Sequence, residues 1–323
     1  MNIILDSTEL KDNYYLDTPR FQALFAYLKK TKSKLFIPDI VISETIKNFS
    51  KEIDDCKDIE KSLKEFKKKL KISTSSEITL KNNEVTGYKK RLLKIVENKN
   101  IEIIDNLSCP VLVPQIISRS LNNKPPFHST KKYSDIGFRD FIIWEEVKFA
   151  RNKCNDLCFI SNDRNAFGDS DELHEELRKE SDVYFYNLLD KFLTDYAEKI
   201  EFINEQYLSL MIEEIGLNDI NNLVYPEELF FAVNIDRNIQ LENIVDHEYN
   251  DVFIWNYYIY KADEKYYYVY VNCSIAISIT CSGDSINLDK SVDEILPSVV
   301  KNISIKINKS TKKVDGFSVS RLI

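Results

Sequence analysis

Short apolar runs alternate with amphipathic stretches through the first two hundred residues. The runs Asn2-Ile3-Ile4-Leu5, Leu35-Phe36-Ile37 and Leu157-Cys158-Phe159-Ile160 have the length and composition of buried strands. Between them, apolar residues recur at helical spacing, as in the stretch that begins at Asp17-Thr18-Pro19. Because strands that alternate with helices usually form a parallel sheet covered on both faces, the pattern predicts an α/β fold for this part.

The pattern changes after the stop signals between Gly216 and Pro226. The stretches that follow are rich in Tyr, Val and Ile with partial alternation and polar turns, and they span 251–260, 265–281, 299–308 and 317–322. A chain of 323 residues is long enough for two cores. We therefore predict an α/β domain over 1–217 and a smaller β-rich (α+β) domain over 225–323.

Charge is distributed unevenly along the chain. The net charge is −8, but residues 51–100 hold 14 basic and 9 acidic residues, whereas residues 201–323 hold 10 basic and 19 acidic residues. This asymmetry predicts a polyanion-facing region beside an acidic body, and it predicts that the C-terminal part is a poor surface for RNA. The runs Lys67–Lys69 and Lys89–Arg91 fit solvated helix faces better than a nucleic-acid track.

Composition excludes several classes of protein. No apolar run approaches the roughly 20 residues that span a bilayer, so a cytoplasmic protein without membrane contact is expected. Six cysteines in this spacing do not form a disulfide framework, and three histidines far apart argue against a histidine-rich metal site. None of the six glycines lies in a phosphate-cradling Walker pattern.

Four acids occupy positions where a carboxylate requires an explanation. Asp6 and Asp163 follow buried strands, and ligands of open α/β sheets bind at the carboxyl ends of strands. Asp140 interrupts an apolar helical stripe, where an unpaired carboxylate would pay for desolvation. Glu44 comes just past the second strand. A divalent cation is one of the few partners that can satisfy several acids at once.

Each acid also has a purely structural interpretation. Asp6 could cap a following turn, Glu44 could lie on a solvated face, and Asp140 could pair with Arg139 or Lys148. Asp163 could form an Asx-turn. Singly, these interpretations weigh about as much as the functional one, but the joint order of strand-end Asp, helical Glu, helical Asp and strand-end Asp favours a site.

At these residues the chain resembles the PIN-domain nucleases, in the branch of longer bacterial PIN-like proteins. The resemblance covers roughly residues 1–200, and Gly137-Phe138-Arg139-Asp140 is its most specific part. The segments that carry it are Ile4–Ser7, Ile37–Glu44, Gly137–Glu145 and Phe159–Phe167. It implies a PIN-like, mostly parallel sheet flanked by helices, with a helical insertion over about 51–100.

The resemblance also implies roles for individual residues. Position by position, it makes Asp6, Glu44, Asp140 and Asp163 the acidic residues that are both catalytic and metal-binding, with Mg²⁺ or Mn²⁺ as the cofactor. Hard divalent cations take oxygen ligands and lower the pKa of bound water. Ala166 stands where the longer branch commonly has an acid, which leaves either Asp163 or Asp169 to complete the site.

The expected function is that of a metal-dependent endonuclease that hydrolyses phosphodiester bonds, with RNA favoured over DNA and a role as a toxin or antiviral defence effector. The alternative is a catalytically inactive PIN-like scaffold that binds a partner. A phosphatase of the haloacid-dehalogenase kind expects a second acid where Thr8 stands. The C-terminal domain is expected to serve regulation, protein partnering or self-association.

Substrate contacts are predicted around the acids and in the loop before the Asp140 helix. Aromatic rings beside cations suit single-stranded nucleic acid, because rings stack on bases while cations contact phosphates. The predicted nucleic-acid-binding residues are Ser7, Phe127, His128, Lys131, Lys132, Arg139 and Asn162.

Overall fold

The computed structural model describes residues 1–11, 13–70, 84–105, 113–128, 137–218, 223–224, 244–281, 294–295 and 298–320. The chain divides into two compact units, Met1–Phe192 and Leu193–Ile323. Each unit is built around its own sheet.

The first unit contains a parallel sheet of five strands, as the alternating pattern predicted. Its strands are β1 (Asn2–Leu5), β2 (Leu35–Pro38), β3 (Glu102–Ile104), β4 (Leu157–Ile160) and β7 (Tyr184–Tyr186), and their order is β3-β2-β1-β4-β7. The central strand β1 pairs with β2 and β4, with Leu5 opposite Ile160. Every residue of β2 and β4 is buried. A small antiparallel pair, β5 (Gly168–Asp169) and β6 (Glu172–Leu173), follows β4.

Helices connect these strands, and they include the ones predicted from apolar spacing. Their bounds are α1 (Ser7–Leu10), α2 (Pro19–Thr31), α3 (Asp39–Leu70), α4 (Glu84–Asn98), α5 (Val113–Leu121), α6 (Phe138–Lys153), α7 (Glu175–Arg178) and α8 (Leu189–Tyr196). In the part of the chain that the structure describes, no helix is both long and apolar enough to cross a membrane.

Helix α3 is one continuous helix of 32 residues, where the sequence pattern predicted a short helix followed by a charged one. It carries Glu44 near its start, and its later half exposes the apolar side chains of Ile59, Leu63 and Phe66. The ring of Phe49 stacks on Tyr88 of α4, with centroids 4.1 Å apart. The region 51–100, for which a helical insertion was predicted, contains the later part of α3 and α4.

The second unit is built on an antiparallel sheet, which confirms the prediction of a β-rich C-terminal part. Its elements are α9 (Glu205–Asn218), β8 (Ile244–Ala262), β9 (Tyr266–Cys281), β10 (Glu294–Ile295), β11 (Ser298–Asn308) and β12 (Val314–Ser320). Strand β9 pairs with β8, β10 and β11, and β11 pairs with β12. Alternate residues of β9, including Val269, Val271 and Ile275, are fully buried.

Helix α9 packs on this sheet, whereas sequence analysis had grouped it with the preceding α/β domain. Leu208 and Ile212 belong to the same buried cluster as the core residues of β9 and β11. The compact division of the chain consequently falls at 192/193, earlier than the boundary predicted between 217 and 225. The apolar face of α9 explains the difference, because it is buried by strands that follow it in the sequence.

Candidate active site

The carboxyl ends of β1 and β4 meet at one edge of the parallel sheet. The two strands are paired in register, and the backbone N–H of Asp6 donates to the carbonyl of Ile160 at 3.1 Å. Asp6 directly follows β1, and Asp163 follows β4 by three residues. The two strand-end acids therefore lie on adjacent strands at the same edge, as predicted.

Asp6 is a buried carboxylate held by three donors. Its side chain is only slightly exposed, and it accepts hydrogen bonds from Ser7 N (2.6 Å), Thr8 Oγ1 (3.0 Å) and Ser161 Oγ (2.7 Å). Burial raises the pKa of Asp6, whereas these hydrogen bonds oppose the rise and the negative charge of Glu44 adds to it. The predicted capping role is real as well, because Asp6 is the N-cap of α1.

Two hydroxyl residues in this cluster were missed by sequence reasoning. Ser161 donates to Asp6 and accepts from the backbone N–H of Asp163 at 3.1 Å. Thr8 donates to Asp6 and accepts from the backbone N–H of Asn162 at 3.0 Å. The available signal was position, since Ser161 is the first residue after β4 and Thr8 is two residues after Asp6. These hydroxyls tie the ends of the two strands together.

Helix α6 delivers Asp140 to this edge from a sharply constrained start. Gly137 precedes the helix with φ +126°, and a Cβ there would come within 2.6 Å of the carbonyl oxygen of Pro126. Only glycine adopts this conformation at so close an approach without strain. The first turn of α6, which contains Asp140, is thereby fixed against the backbone at 126–127.

Asp140 lies among the other three acids. Burial raises its pKa to about 7, and the negative charges of Asp163, Asp6 and Glu44 add to the rise, opposed by Arg139. Because a charge acts on a neighbour strongly only over short distances in a partly buried site, this result places the four predicted acids in one electrostatic cluster. Among the described residues, Arg139 is the basic side chain whose charge opposes the rise in the pKa of Asp140.

Glu44 is the acid that Arg139 engages. The Arg139 guanidinium donates to Glu44 Oε1, and the glutamate side chain is only 15% exposed while that of the arginine is 59% exposed. The pair joins α3 to the first turn of α6. Arg139, predicted to contact nucleic acid, therefore also holds one of the acids in place.

Asp163, and not Asp169, belongs to the cluster. Asp163 Oδ1 accepts from the backbone N–H groups of Asn165 (3.1 Å) and Ala166 (3.0 Å), so the predicted Asx-turn forms. Asp169 is 53% exposed and pairs with Arg164 at 3.4 Å. Asp163 thus keeps a structural role in this turn while its negative charge raises the pKa of Asp140.

The predicted substrate contacts have different fates. Phe127 is only 1% exposed and packs edge-on against Phe138 at 5.1 Å, so its prediction as a stacking residue is wrong. The ring is buried because α6 begins directly over it. His128 is half-buried, Asn162 is exposed and Ser7 donates its N–H to Asp6. Lys131 and Lys132 lie outside the described residues.

Two further acids of the first unit are buried. Glu9 of α1 lies 3.6 Å from Arg20 Nη1, and burial raises its pKa to about 7 with a further contribution from Asp190. Glu146 of α6 is fully buried, and burial raises its pKa to about 8. Among the described residues, neither carboxylate oxygen of Glu146 has a hydrogen-bond partner. Sequence analysis identified neither residue.

The cluster supplies carboxylate oxygens, which are the donors that hard divalent cations prefer. Within the described ranges, no group of three histidine, cysteine, aspartate or glutamate side chains is close enough together to hold one metal ion.

Comparison with known proteins agrees with this geometry. A family model described as a PIN domain matches residues 3–167, which include β1, α3, α6, β4 and all four acids. No curated protein and no solved structure matches the chain. The matched region covers half of the chain and contains the whole candidate site, which confirms the resemblance drawn from the motifs. The chain belongs to the PIN-domain family.

Proposed function

We propose that this protein is a metal-dependent nuclease that hydrolyses phosphodiester bonds at the cluster of Asp6, Glu44, Asp140 and Asp163. The observation that supports the proposal best is the raised pKa of Asp140, to which the other three acids contribute. A purely structural cluster rarely contains four acids around one arginine. Raised carboxyl pKa values at the edge of a sheet are instead typical of active sites.

The cluster fits Mg²⁺ or Mn²⁺ in chemical type and in charge. Its donors are carboxylate oxygens, and its excess negative charge is what a divalent cation would neutralise. We assign the binding of the cation to Asp6, Asp140 and Asp163, whose side chains would have to rearrange to reach one ion, with Glu44 released from Arg139 as the fourth acid. When bound, such a cation lowers the pKa of a coordinated water and stabilises charge on the phosphate.

The protein's own residues would do the remaining work. Ser161 and Thr8 donate to Asp6 Oδ2, so they favour the ionised form of that carboxylate and fix its direction. Asp140 changes its protonation state near neutral pH, so its ionised form becomes available as pH rises through about 7. Arg139, more than half exposed beside the acids, is placed to contact a substrate phosphate.

In this proposal RNA is the favoured substrate. The proposed biological role of the nuclease is that of a toxin or defence effector. Both rest on the family resemblance. The rival, a catalytically silent scaffold, is favoured by one observation: Arg139 already occupies Glu44. A functional nuclease requires that this pair opens when cation and substrate bind.

The decisive experiment is a cleavage assay on single-stranded RNA and single-stranded DNA of the same sequence with Mg²⁺ or Mn²⁺. Asp140→Asn should abolish cleavage. Asp54→Asn removes the same charge from an exposed residue that pairs only with Lys57, and it should leave cleavage unchanged. Equal activity of wild type and Asp140→Asn would remove the nuclease assignment, and no cleavage by the wild type on either substrate would favour the scaffold.

A further inference from the structure

Basic residues of the second unit are concentrated at one end of its sheet. The turn between β8 and β9 and the turn between β11 and β12 lie side by side, because Lys309 N donates to the carbonyl of Lys265 at 2.9 Å. Six of the ten basic residues between 201 and 323 are found there. We call this surface the hairpin end, and its lysines are Lys261, Lys265, Lys306, Lys309, Lys312 and Lys313.

Strand register places two of these lysines in one row. Lys261 of β8 and Lys306 of β11 are both directly opposite Tyr268 of β9. Directly opposite residues of antiparallel strands share a face, so both lysines and the tyrosine lie on the same side of the sheet. Two inter-strand spacings separate the lysine backbones by about 10 Å. Positive charges are thereby spaced along a line across the sheet.

Aromatic rings hold these lysines. The ammonium of Lys261 lies 4.8 Å from the ring centre of Tyr268, and that of Lys306 lies 3.9 Å from the ring centre of Tyr266. Lys265 also lies over Tyr266, at 5.1 Å. A ring face attracts an ammonium through its quadrupole, whereas a carboxylate would accept hydrogen bonds from the N–H groups of the ammonium. Lys261 and Lys306 are therefore oriented while their donors remain available, whereas Lys265 also forms a hydrogen bond with the side chain of Tyr266.

The opposite side of the same end repeats the arrangement. Lys309 lies over Tyr267 at 4.5 Å, and Lys312 lies over Phe202 at 5.0 Å. Within the described part of the chain, none of the six lysines forms an ion pair with a carboxylate. On a solvated helix face, lysines would instead be expected to form i,i+4 ion pairs, such as the pair of Glu175 with Lys179, which directly follows α7.

Acidic residues at the hairpin end are few and engaged in turns. Asp263 accepts from Lys265 N, Tyr266 N and Tyr268 Oη. Asp315 accepts from Asn308 Nδ2 at 3.2 Å. With Glu264 there are three acids against six lysines, in a half of the chain that is otherwise acidic. The surface is a local positive patch, contrary to the expectation from overall composition.

We propose that the hairpin end binds the phosphate backbone of single-stranded RNA. The choice of RNA rests on the proposed nuclease function, whereas the choice of a phosphate polyanion rests on lysines that lie over aromatic rings and form no close ion pair among the described residues. Ammonium groups that keep their donors suit phosphate oxygens, and backbone contacts of this kind give affinity without reading sequence. The second unit is then a substrate-binding module.

Binding is to be measured by fluorescence anisotropy with wild-type, full-length protein, a labelled 20-nucleotide oligouridine and EDTA, over a series of salt concentrations. The triple variant K261E, K265E and K306E should bind about tenfold more weakly or worse, and its log–log salt slope should flatten by roughly 2 if three phosphate contacts are lost. The milder K261Q, K265Q and K306Q should move in the same direction while sparing the fold, which thermal melting checks.

The matched control is K89E, K90E and K94E, which changes the same charge on exposed lysines of α4. An equal or larger loss in this control would overturn the inference, since overall charge or the α4 face would then explain binding. Binding of the wild type to phosphatidylcholine vesicles with 20% phosphatidylserine through the same lysines, without RNA binding, would overturn it in favour of a membrane surface.

Failure of the nuclease proposal is distinguishable from failure here. If the lysine variants lose RNA affinity while the wild type shows no cleavage with Mg²⁺ or Mn²⁺, the hairpin end is supported and only the catalytic assignment falls. If RNA affinity is unchanged in both lysine variants, the inference falls while cleavage that depends on Asp140 still stands.

Discussion

The hydroxyl of Ser161 donates a hydrogen bond of 2.7 Å to the carboxylate of Asp6 and joins the ends of strands β1 and β4. The same hydroxyl accepts from the N–H of Asp163 at 3.1 Å, so one serine touches both strand-end acids. A donor to a buried carboxylate favours its ionised form and so lowers its pKa. The ability of Asp6 to carry a charge consequently depends on its neighbour across the sheet.

Ser161→Ala should therefore raise the pKa of Asp6 and shift the rising limb of cleavage activity to higher pH. Loss of a hydrogen bond to a buried charged group should also lower the free energy of unfolding by roughly 1.5–3 kcal/mol. The pH dependence of kcat/KM and denaturant unfolding measure the two effects. Ser43→Ala, on the exposed face of α3, is the control, and an unshifted pH profile in Ser161→Ala would contradict the prediction.

Binding of a cation should stabilise the fold, because the four acids converge only in the folded chain. At about 100 times the dissociation constant, Mn²⁺ or Mg²⁺ should add roughly 2.7 kcal/mol to the free energy of unfolding. Without metal, Asp140→Asn should melt at a higher temperature than the wild type, because it removes a carboxylate that three others repel. With metal, the order should reverse, and thermal melting at pH 8 with and without Mn²⁺ tests both statements.

Glu146 should make the protein less stable as pH rises. Burial raises its pKa to about 8 in the folded state from an ordinary 4.5, so the folded protein holds a proton that the unfolded chain has released. The contribution of Glu146 to the free energy of unfolding is fully present below about pH 4.5 and is lost as the pH rises towards 8. Glu146→Gln should accordingly gain about 1–3 kcal/mol over the wild type at pH 8 and nothing at pH 4.

Chemical unfolding at both pH values measures this difference. Glu172→Gln removes a carboxylate from an exposed position and should change stability little at either pH. A Glu146→Gln variant that is destabilised equally at pH 4 and pH 8 would show that Glu146 is ionised and paired in the folded protein.

Two glycines allow a paired test of how α6 is positioned. Gly137→Ala should cost roughly 2–4 kcal/mol and reduce cleavage, because its Cβ would meet the backbone of Pro126 and Phe127 and displace the turn that carries Asp140. Gly87→Ala, in α4 with no atom within 4 Å of the added Cβ, should stabilise by about 0.5–1 kcal/mol. Thermal melting and the cleavage assay separate the two, and full activity in Gly137→Ala would contradict the argument.

Much of the first unit could be predicted because local pattern and tertiary structure agree there. The run at 157–160 is apolar throughout and buried throughout. Asp140 interrupts an apolar stripe of α6, and the apolar residues of that stripe are buried. A buried acid within such a pattern indicates a site wherever its neighbours in space are also acidic. The motif and the electrostatics therefore identify the same four residues.

What the sequence could not predict depends on contacts between distant segments. Phe127 lies beside prolines and a histidine, which favours an exposed loop, yet Phe138 and Phe141 pack around it. Lys261 and Lys306 are far apart in the chain, and only the register of β8, β9 and β11 brings both to Tyr268. Composition indicated that residues 201–323 are acidic overall, whereas strand pairing concentrates the lysines of this part at the hairpin end.

The continuity of α3 has a mechanical consequence for Glu44. At about 1.5 Å per residue, its 32 residues form a rod about 48 Å long, with Glu44 near one end and the exposed Phe66 near the other. No turn interrupts the helix between these residues. In the proposed nuclease, the acid that leaves Arg139 therefore shares one continuous helix with the exposed side chain of Phe66.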